Sequence, residues 1–348
     1  MKPITLPETA SICIMRLSAI GDVCHAVASV QAIQQHFPKA QITWIIGKLE
    51  YQLLKNLPNI EFVIFDKSQG RKAYSKLKKN MRGKQFDILL QMQLALRANL
   101  AAFFIPATIK LGFSKKRSKE LHSLFVNRHI EHEKGFHVLD GFRDFARTIG
   151  VEDGSPKWNI PVEASVEDWA KDKLPKQPYI VVSPAASKAE RDWLAERYAQ
   201  AADYCHSLGY QVLITGSPSE REKLLGEQIA AQCQSEVVNL VGQTNLQQLL
   251  LALCGAALVI APDSGPAHMA VTQNTPVIGL YAHSNPKRTG PYLYQDLVAD
   301  VYTPRAVTEF NLSADKLDWG LRLKGSELMQ AISFDKIKAL IDQVLKTS

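Results

Sequence analysis

The stretch LVIAPDSGPAHMAVTQNTPVIGLY, residues 258–281, decides the fold of this chain. An apolar run at residues 256–261 predicts a buried parallel strand, and the run at residues 276–281 predicts a second one. Between them the segment DSGP, residues 263–266, is typical of a helix start, and a short helix is predicted at residues 268–273. The pattern is therefore strand, tight turn, helix and strand.

The turn after the first of these strands is a candidate anion site. It would present free backbone N–H groups and the positive end of a helix at the carboxyl edge of a parallel sheet. Phosphate groups commonly bind at such an edge. An ordinary capped junction between a strand and a helix explains the same residues equally well at this point.

Composition sets the broad class of the protein. The 348 residues suffice for two domains, and 46% hydrophobic with 22% charged residues is typical of a globular protein. No apolar segment is long enough to span a bilayer, and residues 1–10 lack the core of a signal peptide. The five cysteines are odd in number and scattered without a C-x-x-C pair, so buried thiols are expected rather than disulfides or zinc ligands. A net charge of +7 favours an anionic partner.

The N-terminal segment repeats the same plan. Residues 11–17 predict a strand, residues 23–37 an amphipathic helix and residues 41–46 a second strand. The turn between the first strand and the helix has no G-x-G-x-x-G, which disfavours a dehydrogenase-type dinucleotide site. Asp22 lies at the predicted helix start. From these residues alone, a simple N-cap explains Asp22 better than catalysis.

Two basic clusters follow in the first half of the chain. Residues 67–84 hold eight Lys and Arg residues and no acidic one, and residues 114–119 hold four more. A solvated helix face is the usual meaning of such a run, but a single sign of charge also suits an anionic surface or acceptor. Only Tyr74 and Phe113 are aromatic within or beside the clusters, so a nucleic-acid partner is not expected.

The second half repeats strands that alternate with helices, after a segment rich in Pro, Gly and charge at residues 150–161. The predicted class is α/β, with two doubly wound domains whose ligands bind at the carboxyl ends of the strands. We place the domains at residues 1–160 and 161–348. An amphipathic helix at residues 333–345 ends the chain, and we expect it to pack back on the N-terminal domain.

Three motifs in this order resemble glycosyltransferase family 9, the ADP-heptose:lipopolysaccharide heptosyltransferases. They are RLSAIGDVCHA (16–26), SKAERDW (187–193) and PDSGPAHMA (262–270). GFSKKRSKELHSLFVNR (112–128) and HVLDGF (137–142) are more similar to heptosyltransferase I than II, and within it to OpsX-type enzymes. The likeness runs over most of the chain.

The resemblance implies a GT-B fold, in which two Rossmann-like domains enclose a cleft, with the acceptor on the N-terminal domain and the nucleotide sugar on the C-terminal one. It implies an inverting transfer of heptose from ADP-heptose to the Kdo of lipid A, with phosphorylated mono-Kdo as the OpsX-type acceptor. The expected location is cytoplasmic, against the anionic inner face of the inner membrane. A related enzyme using another nucleotide sugar or a later core acceptor, as heptosyltransferases II and III do, is the alternative. A sugar-nucleotide binder without catalysis would lack the acid at position 22.

The resemblance also assigns roles to residues. Asp22 matches the catalytic Asp of the family, which takes the proton of the acceptor hydroxyl. The candidates for donor binding are Ser187, Arg191, Glu222, Asp263, Ser264, Gly265 and His268. Arg191 would clamp the diphosphate, its alternative being a surface ion pair with Asp192 or Glu190. Asp263 would cap the loop or bind an optional Mg²⁺, and no other cofactor is expected.

The remaining assignments concern weaker sites. Glu222, or Glu220, would accept from ribose hydroxyls, although a helix N-terminus explains both. His268 is either a phosphate donor or a packing residue. Ala185 and Ala186 stand where relatives often carry hydroxyl residues, so Ser187 or backbone N–H groups would replace those contacts. The candidates for acceptor phosphates and the membrane are Arg71, Lys72, Lys115, Lys116 and Arg117.

Overall fold

Two parallel sheets organise the chain. The computed structural model describes residues 4–131, 135–152 and 154–346. The chain divides into two compact units, Met1–Pro161 (unit 1) and Val162–Ser348 (unit 2). Each unit contains one six-stranded sheet. The predicted α/β class with two doubly wound units is confirmed.

Unit 1 has the strand order β3-β2-β1-β4-β5-β6 with every pair parallel. Its strands are β1 (Ser11–Met15), β2 (Gln41–Gly47), β3 (Ile60–Phe65), β4 (Phe86–Gln91), β5 (Ala107–Gly112) and β6 (Arg128–His129). Its helices are α1 (Ile20–His36), α2 (Lys48–Leu54), α3 (Arg71–Asn80), α4 (Leu96–Phe103) and α5 (Val138–Thr148). β1 is buried on both faces, which is why its sequence is continuously apolar rather than alternating.

Unit 2 has the order β12-β11-β10-β7-β8-β9, again parallel throughout. Its strands are β7 (Tyr179–Val182), β8 (Gln211–Ile214), β9 (Val237–Asn239), β10 (Leu258–Pro262), β11 (Val277–Tyr281) and β12 (Val298–Asp300). Its helices are α6 (Ala164–Lys173), α7 (Ala195–Ser207), α8 (Glu220–Gln232), α9 (Leu246–Cys254), α10 (Gly265–Thr272), α11 (Pro286–Thr289), α12 (Tyr302–Phe310) and α13 (Phe334–Leu345).

The stretch that opened the sequence analysis forms β10, α10 and β11 as predicted, with shifted boundaries. Pro262 ends β10 instead of following it, because a strand end can lack one N–H donor. The helix begins at Gly265, three residues before the predicted start, since Pro266 fits the first turn. In the same way α1 begins at Ile20 and not at Val23, which takes Asp22 into the helix.

The last helix departs from the expectation. We expected it to pack on the N-terminal domain, but Ile337 and Ile341 of α13 are fully buried in the core of unit 2. The indole N–H of Trp193 donates to the carbonyl of Ile332 over 3.0 Å, and Tyr204 bonds to Asp342 of the helix. The apolar face of α13 therefore completes the unit from which it emerges. No helix in the described part of the chain is long and apolar enough to cross a membrane.

Candidate functional site

The strand order of unit 1 reverses between β1 and β4, and the residues that follow these two strands meet at the carboxyl edge. Arg16 follows β1 directly. Its Nη1 donates to the carbonyl of Met92, just beyond β4, over 2.7 Å. The guanidinium also lies over the ring of Phe142 in α5, 5.2 Å from its centroid. Arg16 is thus fixed at the switch point of the sheet by three elements.

Asp22 lies beside this arginine, at the third position of α1. Its Oδ2 forms an ion pair with Arg16 and accepts the backbone N–H of Ala19 over 3.2 Å. The N-cap residue is Ala19, and Asp22 accepts its N–H as the third helical residue of a capping box, so Asp22 caps the helix start without being the N-cap itself. Oδ1 has no hydrogen bond to the described residues, and 33% of the side chain is exposed. One carboxylate oxygen is anchored and the other is accessible.

The predicted acceptor-binding residues lie in two places. Arg71 and Lys72 are exposed at the start of α3, and Lys115 and Lys116 are exposed in the turn after β5. Arg117 is half-buried because its guanidinium lies against the α5 backbone: a Cβ on Gly141 would come within 2.9 Å of its Nη1. The HVLDGF segment therefore contacts both Arg16 and Arg117 at the beginning of α5.

In unit 2 the strand order reverses between β7 and β10, and Asp263 follows β10. Its Oδ2 accepts from the hydroxyls of Ser284, at 2.7 Å, and Thr289, at 3.4 Å. His268 Nε2 lies 3.8 Å from Oδ1. Burial opposes ionisation, but these partners and the charge of Arg322 outweigh it and hold the pKa of Asp263 below its ordinary value. Asp263 thus ties the loop after β11 to the loop after β10.

Two arginines, Arg191 and Arg322, act on this edge of the sheet through their charge. Burial lowers the pKa of Arg191, the charge of Arg322 lowers it further, and Asp263 and Glu190 act in the opposite direction. The expected alternative partners of Arg191 are engaged elsewhere: Asp192 pairs with Arg221, and Glu190 lies 3.7 Å from Lys188. Arg191 Nε is buried and has no hydrogen-bond partner among the residues that the structure describes. Two arginines thus act electrostatically on one carboxylate, so the positive charge of this edge exceeds the negative charge and favours an anion.

The first turn of α10 adds donors to the same edge. Ser264 is its N-cap residue, but the Ser264 side chain makes no capping bond, and its Oγ is buried without a hydrogen-bond partner. Gly265 is the first helical residue. Buried polar atoms without partners are rare in proteins and frequently mark a ligand position. Of the two residues of this segment that could cap the helix, Ser264 occupies the N-cap position, while Asp263 fixes the loops through Ser284 and Thr289.

The loop after β7 contains Ala185 and Ala186 where relatives often carry hydroxyl residues, and other contacts hold it in place. The hydroxyl of Ser183 bonds to that of Thr215 over 2.6 Å inside the unit, while Ser187 is exposed. Asp192 accepts the N–H of Ala186 over 2.7 Å. Arg221 donates to the carbonyl of Ala186 over 2.6 Å, so backbone contacts hold the loop. Ser187 is the hydroxyl that remains accessible.

Glu222 has a structural task in α8. Its Oε2 accepts the N–H of Ser217 over 2.6 Å and thereby closes the turn after β8. Glu220 is 90% exposed and pairs with Lys223 over 2.9 Å. The geometry favours the helix-terminus explanation for Glu220, and Glu222 keeps one carboxylate oxygen toward Arg221, 3.8 Å away.

Comparison with known proteins identifies the family. The sequence model of the family described as "Glycosyltransferase family 9 (heptosyltransferase)" matches residues 74–310 of this chain. The chain is 44% identical to the lipopolysaccharide core heptosyltransferase OpsX of Haemophilus influenzae, over 96% of this chain and 97% of the relative. The chain belongs to glycosyltransferase family 9. It is therefore a glycosyltransferase, as the sequence motifs indicate.

Solved structures of family members agree with the fold. A glycosyltransferase family 9 protein of Veillonella parvula superposes with a TM-score of 0.78 at 23% identity, covering 97% of this chain and 98% of that one. Escherichia coli heptosyltransferase WaaC, solved with ADP, gives 0.68 at 20% identity, covering 86% of this chain and 98% of that one. The predicted GT-B class, with two Rossmann-like units, is confirmed.

Several residues of the glycosyltransferase site escaped the sequence analysis. Arg322, Ser284 and Thr289 act on Asp263, and Arg16 anchors Asp22. The segment YAHSNPKRTGP (281–291) follows a strand next to the switch point, and that position was a usable signal. No sequence signal pointed to Arg322, because it reaches the site through an isolated antiparallel bridge to Ser284. No group of three or more His, Cys, Asp or Glu residues in the described ranges could hold a metal ion, and the optional Mg²⁺ stays a prediction.

Proposed function

We propose that the protein transfers heptose from ADP-heptose to the Kdo of lipid A, with inversion, in synthesis of the lipopolysaccharide core. The relative OpsX is named a lipopolysaccharide core heptosyltransferase, and WaaC was solved with ADP. The single observation that carries the mechanism is Asp22, a carboxylate anchored through one oxygen at the switch point of unit 1 with the other accessible.

The chemistry follows from the two oxygens of Asp22. The acceptor hydroxyl attacks the anomeric carbon as the bond from that carbon to the diphosphate breaks on the opposite face. Oδ1 takes the hydroxyl proton, and ADP leaves with the bonding electron pair. Arg16 and the N–H of Ala19 restrict the carboxylate, so Arg16 acts as a positioning residue.

Unit 2 is suited to the leaving group. A diphosphate gains negative charge as the bond breaks, and donors placed beforehand stabilise it without reorganisation. The first turn of α10 with Ser264 supplies hydroxyl and backbone donors, and Arg191 and Arg322 supply charge. In this proposal Asp263 orients His268 and the loop after β11, while Ser187 and Glu222 reach outer parts of the nucleotide.

The acceptor and the membrane complete the proposal. Arg71, Lys72, Lys115, Lys116 and Arg117 would contact the acidic groups of the acceptor and an anionic bilayer surface through charge. The enzyme would then work on the cytoplasmic face of the inner membrane.

A transfer assay read by mass spectrometry tests the function. The purified protein receives ADP-heptose with either bis-Kdo lipid A or phosphorylated mono-Kdo lipid A. Addition of one heptose mass to an acceptor is the expected result, and the acceptor that gains it defines the subtype. Parallel reactions with UDP- and GDP-linked sugars and with heptosylated core test the alternatives. ADP binding without transfer from ADP-heptose to either Kdo acceptor would contradict the proposal.

A further inference from the structure

Five large apolar side chains are exposed close together in the chain of unit 1. Leu96, Leu100 and Phe103 of α4 expose 42%, 41% and 70% of their surface. Their spacing of four and three residues places them on one face of the helix. Leu121 and Leu124, in the turn after β5, expose 64% and 76%. We call these five residues the apolar ridge.

Polar contacts hold the two parts of the ridge together. Glu120 accepts the N–H of Leu96 at the start of α4, which has no cap of its own. Asn99 Nδ2 donates to the carbonyl of Glu120 over 3.0 Å, and Asn99 Oδ1 lies 2.9 Å from His122 Nδ1. His122 and Asn99 are fully buried. The turn that carries Leu121 and Leu124 is therefore anchored to α4.

Leu121 is exposed and also has an unfavourable backbone conformation. Its φ is +62°, a left-handed conformation that a leucine rarely adopts. Unfavourable conformations of this kind persist where the surrounding structure enforces them, and they cluster at functional surfaces. The hydrogen bonds of Glu120, Asn99 and His122 hold the turn in this conformation, and the Leu121 side chain is left exposed.

The ridge lies next to the basic clusters. The hydroxyl of Tyr74 in α3 donates to the carbonyl of Arg97 in α4 over 3.4 Å, and the Tyr74 ring lies 6.3 Å from that of Phe104. Ala73 and Leu77 of α3 share a core cluster with Ala98 and Ala101 of α4. Helix α3, which carries exposed lysines and arginines, therefore packs on α4, and the exposed Lys115, Lys116 and Lys119 precede Leu121 in the chain.

The charge of this region contrasts with the rest of the protein. Residues 67–128 contain 15 Lys and Arg residues and only Asp87 and Glu120 as acids. The whole chain has 41 basic and 34 acidic residues, so the remainder carries an excess of acid. An apolar stripe within a strongly cationic surface is the pattern of proteins that lie in the interface of an anionic bilayer.

We propose that the apolar ridge inserts into the interfacial layer of an anionic phospholipid bilayer while the surrounding basic residues contact the headgroups. The inference deepens the proposed function, because it names the side chains that bury the protein in the surface from which the lipid acceptor would be taken. A second copy of the chain fits poorly, since this strongly cationic surface would face itself. Nucleic acid would use the charge but not the four exposed leucines of the ridge.

Vesicles without any acceptor test the insertion separately from catalysis. The full-length protein is mixed with phosphatidylcholine vesicles containing phosphatidylglycerol and sedimented. We expect Leu100→Ser, Phe103→Ser and Leu124→Ser, combined in one variant, to weaken binding by about tenfold or more. The matched control combines Leu224→Ser, Phe310→Ser and Leu312→Ser, which are exposed apolar residues of unit 2 (55%, 43% and 42%) and should leave binding unchanged. The ridge variant should keep its ADP affinity and its transfer to a detergent-dispersed acceptor.

A spectroscopic readout distinguishes insertion from charge alone. The emission of Phe103→Trp, after subtraction of the wild-type signal, should shift to shorter wavelength with anionic vesicles and be quenched by brominated acyl chains, unlike that of Leu224→Trp. Equal vesicle binding by the ridge and control variants would overturn the proposal. So would loss of a dimer in the ridge variant by sedimentation velocity, because the ridge would then bind a second copy. An inactive protein with ridge-dependent vesicle binding would contradict the proposed function and leave this inference standing.

Discussion

The two units place opposite charges at equivalent points of the same fold. At the switch point of unit 1, one arginine fixes an accessible carboxylate, Asp22. At the switch point of unit 2, the carboxylate of Asp263 is enclosed, and Arg191 and Arg322 retain charge for an anion. A doubly wound sheet determines where a ligand binds, whereas the loop residues determine whether that edge accepts a proton or holds a phosphate.

Of the changes that test this difference between the units, removal of the accessible carboxylate should have the largest effect on activity. We expect Asp22→Asn to lower kcat for heptose transfer by about 10²- to 10⁴-fold, because the acceptor hydroxyl loses its base. The ADP affinity, measured by calorimetry, should stay unchanged, since ADP is assigned to unit 2. Turnover near the wild-type level would exclude Asp22 as the base.

Removal of the excess positive charge tests the other switch point. Arg191→Ala and Arg322→Ala should each raise the Kd of ADP by about 10- to 100-fold, as loss of a charge-assisted hydrogen bond predicts. Arg305→Ala is the control, because Arg305 is 59% exposed and pairs only loosely with Glu309 over 3.6 Å. Unchanged ADP affinity in both variants would place the diphosphate elsewhere.

Variants of Arg16 test whether it positions the carboxylate of Asp22 in unit 1. Arg16→Ala should lower kcat by about tenfold with little change in KM, because the carboxylate gains freedom while both substrates still bind. Arg16→Lys should recover part of the rate, since an ammonium can still pair with Asp22. A thermal melt checks that the bond to Met92 is not needed for folding. If KM alone rises, Arg16 binds acceptor and does not position the base.

The basic surface of unit 1 should give a smaller effect. Reversal of Lys115, Lys116 and Arg117 to glutamate is expected to raise the acceptor KM about fivefold, and high salt should shrink the difference because exposed charges are screened. The same reversal at Lys171 and Lys173, exposed on α6, serves as the control. A KM independent of both charge and salt would exclude this surface from acceptor binding.

The smallest expected effect concerns pH and the loop after β7. Burial raises the pKa of Asp192 to about 6, although the hydrogen bond from the N–H of Ala186 and the charge of Arg221 both lower it. A carboxyl whose pKa is raised by folding stabilises the fold below its unfolded pKa of about 4, and this contribution is lost as the pH rises through 6. The free energy of unfolding should therefore fall by about 1–3 kcal/mol from pH 4 to 7.

Urea unfolding of wild type and Asp192→Asn at several pH values measures this slope. The asparagine keeps an acceptor for Ala186 but does not titrate, so its slope between pH 4 and 7 should be flatter. Parallel slopes in the two proteins would show that Asp192 titrates at its ordinary pKa.

The sequence by itself determined the two α/β units and the turns where ligands bind. Apolar runs of strand length, separated by amphipathic helices, leave few other ways to bury the chain, and the run at residues 276–281 forms β11, Val277–Tyr281. The motifs around Asp22, Arg191 and Ser264 were recognised by their resemblance to glycosyltransferase family 9, and each follows a strand of its sheet. The two-residue β6 and the three-residue β12 were not predicted.

Tertiary structure alone decided which residues meet across the sequence. Arg16 reaches Met92 and Phe142, and Arg322 acts on Asp263 from 59 positions away, because parallel strands bring distant loops to one edge. The hydrogen bonds among Asn99, Glu120 and His122 likewise hold α4 beside the turn after β5. Five apolar side chains of these two segments stay exposed. Periodicity reports which face of one helix is apolar, and only the packed fold shows whether that face finds a partner.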